Sequence, residues 1–71
     1  MQGKSTEELV ELARCGGSIT VYADTRPVDE LIRIAGALQP SATLTLMGMA
    51  MRSTQDMCRI AEAAPGRVTF A

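Results

Sequence analysis

The stretch Val28-Asp29-Glu30-Leu31-Ile32-Arg33-Ile34-Ala35, followed past Pro40 by Leu44-Thr45-Leu46, decides the fold because it occurs three times. An earlier copy runs Thr6-Glu7-Glu8-Leu9-Val10-Glu11-Leu12-Ala13, breaks at Gly16-Gly17 and continues as Ile19-Thr20-Val21. A later copy runs Thr54-Gln55-Asp56-Met57-Cys58-Arg59-Ile60-Ala61, breaks at Pro65-Gly66 and ends as Val68-Thr69-Phe70. Each unit has a first turn carrying an acid, two apolar residues, a polar one, an apolar one and an alanine. A breaker and an apolar-Thr-apolar segment follow. Self-similarity at such a period marks a stack of supersecondary units.

The first half of each unit has helical period. Leu9, Leu12 and Ala13 share a face, as do Leu31, Ile34 and Ala35, and Met57, Ile60 and Ala61. Ser5 with Glu8, and Ser53 with Asp56, have the spacing of a capping box. Pro27 suits the first turn of the second helix, where a missing N–H costs nothing. Gly36 reads as a close-packing glycine inside that helix. The second half of each unit alternates: Ser18, Thr20 and Tyr22 oppose Ile19, Val21 and Ala23; Thr43, Thr45 and Met47 oppose Ala42, Leu44 and Leu46; Arg67, Thr69 and Ala71 oppose Val68 and Phe70.

Helix and strand in alternation predict a parallel sheet. Right-handed crossovers with strands in order 1-2-3 place every helix on one face. The alternating strand pattern agrees, since strands covered on both faces read as continuous apolar runs. The expectation is an α/β domain of three helix–strand repeats, approximately 5–23, 27–47 and 53–71, with an open sheet face. The stretch Leu44-Thr45-Leu46-Met47-Gly48, then a helix bearing Cys58, Ile60 and Ala61, then Pro65 and a strand, resembles the leucine-rich-repeat type of fold. The asparagine or cysteine ladder residue of that family is absent, and Gly48 stands near its place. The resemblance implies binding of other macromolecules through the open sheet face.

Composition narrows the function classes. Seventy-one residues make one domain, small enough that burial against a partner or a second copy is expected. Seven basic residues against eight acidic give a formal net charge of −1, and Tyr22 and Phe70 are the only aromatics. Neither a basic field nor a stacking platform for nucleic acid is present. No apolar run approaches a membrane span, and the start of the chain lacks the apolar stretch of a signal peptide, so a cytoplasmic location is the default expectation. The sequence contains no histidine, and no serine or cysteine has a recognisable nucleophile context. A non-enzymatic protein without cofactor or metal is expected. Cys58 shares its repeat position with Val10 and Ile32 and reads as packed, while Cys15 lies at the end of the first helix. Gly3-Lys4-Ser5 copies the end of a phosphate-binding loop without the upstream cradle.

The candidate interface comprises Thr20, Tyr22, Thr45, Met47, Arg67 and Thr69 on the open face, the loop residues Met49 and Met51, and Phe70 on the edge strand. The methionines of Met47-Gly48-Met49-Ala50-Met51 suit an adaptable binding surface, although the first reading is that they fold inward and complete a small core. Edge pairing across a two-fold axis would join two sheets into one. An alternative site lies at the carboxyl ends of the strands, where Arg26, Arg52 and Ser53 could converge on a small anion.

Overall fold

The computed structural model describes residues 4–71, so Gly3 of the Gly3-Lys4-Ser5 motif lies outside the described residues. The elements are α1 (Thr6–Arg14), β1 (Ile19–Tyr22), α2 (Val28–Gly36), β2 (Leu44–Met47), α3 (Thr54–Ala63) and β3 (Val68–Phe70). The strands form one parallel sheet in the order β1-β2-β3. All three helices cover one face. The registers align the repeats: Ile19 faces Leu44 and Leu44 faces Val68, while Val21 faces Leu46 and Leu46 faces Phe70.

The local signals act as their chemistry dictates. Ser5 caps α1, accepting from the Glu8 N–H while the Glu8 carboxylate accepts from the Ser5 N–H. Ser53 caps α3 by accepting from the Asp56 N–H. The Asp56 carboxylate lies 3.7 Å from Arg59. Pro27 stands at the N-cap of α2, just before the first turn rather than in it. Helix α1 stops at Gly16 (φ 101°), where the Gly17 N–H bonds to the Leu12 carbonyl and the Gly16 N–H to that of Ala13. These are the paired bonds of a Schellman ending, which needs a residue at positive φ. Gly36 corrects the expectation of close packing. It is the last residue of α2, and a Cβ there would meet nothing within 4 Å.

The core lies between the helices and one face of the sheet. Leu9, Leu31, Ile34, Leu44, Leu46 and Ile60 are fully buried in it, with Val21 and the small Ala13, Ala35 and Ala64. Leu44 is fully buried on the central strand, with Ile19 and Val68 on either side. Leu44→Ala should cost about 2–5 kcal/mol. A urea titration should show this as a lower midpoint at unchanged slope.

Candidate interaction surface

The sheet face away from the helices carries Thr20, Tyr22, Thr45, Met47 and Thr69. Thr20, Tyr22 and Thr69 are exposed, and Thr45 and Met47 half-buried. The register sets Thr20 beside Thr45 and Thr45 beside Thr69, making a hydroxyl row across the middle of the sheet. Tyr22 is the partner of Met47 at the carboxyl end, with 45% of its surface exposed. Arg67 flanks the face at the other end, and its guanidinium donates to the Gln39 carbonyl at 2.6 Å.

The methionine loop divides. Met51 is 95% exposed. Met49, expected as an interface residue, is instead 1% exposed and belongs to the core. The reason is the turn at Gly48, whose φ of 80° redirects the chain after β2. A Cβ on Gly48 would come within 3.2 Å of the Asp24 Cβ, so only glycine fits there without displacement. Phe70 is half-buried against the core from the helix side of the sheet.

Cys58 is also corrected: it is exposed, as is Cys15, and both thiols are free. Its counterparts are covered because α2 packs on α1 and α3 packs on α2, whereas no helix among the described residues lies beyond α3.

The three residues of the alternative anion site are brought to one edge, where the two arginines hold the repeats together. The Arg26 guanidinium donates to the Thr6 hydroxyl at 3.0 Å and to the Lys4 carbonyl. The Arg52 guanidinium donates to the Ala23 carbonyl at 2.8 Å and to the Arg26 carbonyl. The Ser53 hydroxyl is engaged as the cap of α3. Lys4, Arg26 and Arg52 each stand one residue before a helix N-cap. Each arginine therefore reaches back to the carbonyl of the equivalent residue one repeat earlier. A second series runs along the helices, where Arg33 pairs with Glu7 at 2.9 Å and Arg59 with Asp29 at 3.5 Å. A third runs along the other sheet edge, from Gln39 to the Arg14 carbonyl and from Arg67 to the Gln39 carbonyl. The signal was present in the sequence as a basic residue ahead of every cap, but its partners are backbone carbonyls that no side-chain motif reveals.

Two carboxylates are perturbed by these contacts. Glu7 is held below the ordinary glutamate value by its hydrogen bond to Arg33 and then by that residue's charge, which in turn raises the pKa of Arg33. Glu8 is lowered by the backbone N–H of Ser5 and then by its hydroxyl. Elsewhere on the helix layer, a shallow concavity of about 250 Å³ lies between α1 and α2, lined by Val10, Arg14, Arg33, Gly36 and Ala37. Among the described residues no group of three or more His, Cys, Asp or Glu could hold a metal ion, and no helix is long and apolar enough to cross a membrane.

Comparison with family models, with curated proteins and with solved structures finds no match to this chain.

Replacing Arg52 with methionine keeps the length and removes the donors, taking the guanidinium from the part-buried Arg26 carbonyl and from the Ala23 carbonyl, which keeps the Arg26 N–H. Stability should fall by about 1–3 kcal/mol in a denaturant titration. The acid response follows from the sign of the glutamate shifts. Groups lowered in the folded state stabilise it above their unfolded pKa and lose that contribution as the pH falls through the folded one. Thermal melting should therefore drop as the pH passes down through the glutamate range and below it. The drop should be shallower in Glu7→Gln and Glu8→Gln.

Proposed function

We propose that the protein is a small non-enzymatic interaction module that docks a protein partner on its open sheet face. One observation carries the reading: the helices cover only one side of the sheet, and the other side presents Tyr22 beside Met47 next to a row of threonines. Tyrosine anchors interfaces well because a large rigid ring is buried at small entropic cost while its hydroxyl keeps a hydrogen bond. The exposed Met51 follows from the same end of β2 and extends the surface with an adaptable apolar side chain. The polar threonine row suits a partner that brings backbone or amide groups. The resemblance to leucine-rich repeats points to the same face. The two free thiols suit a reducing, cytoplasmic setting.

The arginines at the carboxyl edge are occupied by carbonyls of neighbouring repeats, which favours the sheet face over that edge as the binding surface.

The test is quantitative capture from lysate of the source cells, with wild type compared against Tyr22→Ala and Thr45→Arg. Both substitutions are on the uncovered face, so folding should persist by circular dichroism. A partner seated there should lose about tenfold or more in affinity with either variant, as expected for an anchor residue. Enrichment that neither substitution changes would place binding elsewhere and overturn the reading.

A further inference from the structure

The third repeat is less covered than the other two at five apolar positions that all three share. Leu9 and Leu31 are fully buried, but Met57 is half-buried. Ala13 and Ala35 are fully buried, but Ala61 is not. Val10 is buried, Ile32 half-buried and Cys58 exposed. In the sheet, Ile19 and Leu44 are buried while Val68 is half-buried, and Val21 and Leu46 are fully buried while Phe70 is half-buried. The flank formed by α3 and β3 is thus an open section through the core. Beside it runs a strand edge that no other described strand pairs. The Arg67 carbonyl and the Ala71 N–H turn towards β2. Alternation then turns the N–H and C=O of Val68 and Phe70 outward.

We propose that this flank is a self-interface, on which a second copy of the chain seats its own α3 and β3 across a two-fold axis. This goes beyond the open-face reading and uses a different surface. The flank is complementary to itself in three respects. With Thr69 on the axis, antiparallel β3 strands place Val68 opposite Phe70 of the second copy. The outward backbone groups of each such pair then exchange two hydrogen bonds, and a β-branched residue meets an aromatic on the core side. Antiparallel α3 helices also bring the last turn of each beside the first turn of the other, whose own acid, Asp56, is paired with Arg59. Helix α3 has no basic residue in its last turn, where α1 has Arg14 and α2 has Arg33, and carries Glu62 there instead. A carboxylate is unfavourable at its own helix's negative end and favourable beside the N-terminus of the second copy's α3. Finally, a formal net charge of −1 opposes association very little. The opposite flank is a poorer occupant. Its exposed large apolar side chain is Leu12, at 38%, and the rest of the α1 apolar row is already buried.

Cys58 gives the test, since it is exposed near the middle of α3 and lies outside the core. Light scattering over a dilution series should show a dimer that dissociates on dilution. Cys58→Glu brings two carboxylates together near the axis and should raise the dimer Kd by about tenfold or more, at unchanged circular dichroism. Lys4→Glu, on the opposite flank, should leave the dimer intact. A bismaleimide cross-linker should join two copies of Cys15→Ser through Cys58 and should fail on Cys58→Ser. A monomer at every concentration overturns the proposal, as does a dimer indifferent to Cys58→Glu. Loss of association in Lys4→Glu, or growth beyond dimers, overturns it in favour of head-to-tail stacking. Tyr22→Ala should leave the dimer mass unchanged, so the open-face reading stands or falls separately on partner capture.

Discussion

Leu44 and Leu46 lie on a strand bonded on both sides to parallel neighbours, and the remaining structure depends on that pairing. Parallel strands cannot be joined by a tight turn, so each connection must cross back over the sheet as a helix. Right-handed crossovers in strand order β1-β2-β3 put every helix on the same side. One sheet face is thereby closed into a core by aliphatic side chains. The other is left with threonines, Tyr22 and Met47. The site proposed for partner binding is thus the unused half of the surface that the fold must create.

A layer of this kind must also keep its repeats from sliding, and three series of long side chains do so with a consistent direction, while the Thr6 hydroxyl runs the other way to Glu30. Arg26, Arg52, Arg33, Arg59, Gln39 and Arg67 all donate from a later repeat to an acceptor in the one before. Hydrogen bonds from a charged group to a backbone carbonyl are stronger than neutral ones, and at the carboxyl edge they are partly shielded from water. The exposed ion pairs Arg33–Glu7 and Arg59–Asp29 contribute less, because water and salt screen them. The engagement of Arg26 and Arg52 occupies donors that a small anion would otherwise draw on.

Much of this was legible in the residues. Apolar period, capping serines and breakers at Gly16-Gly17 and Pro65-Gly66 locate the six elements, and strand alternation separates Thr20 and Tyr22 from Ile19 and Val21. What could not be read were the consequences of position within the layer. Cys58 matches Val10 and Ile32 in sequence, yet burial of that position depends on a following helix. Met49 looked like a loop residue, and its burial depends on a backbone turn at Gly48 that closes against Asp24.

The sequence by itself therefore determined the type and order of the elements, the parallel sheet and its two unlike faces, because period and turn chemistry are local and the crossover rule is general. Tertiary structure alone decided which equivalent residues are covered, where the arginines of the carboxyl edge find their partners, and which flank of the core stays open. Those outcomes depend on what lies beside each repeat, and three similar units occupy three different environments.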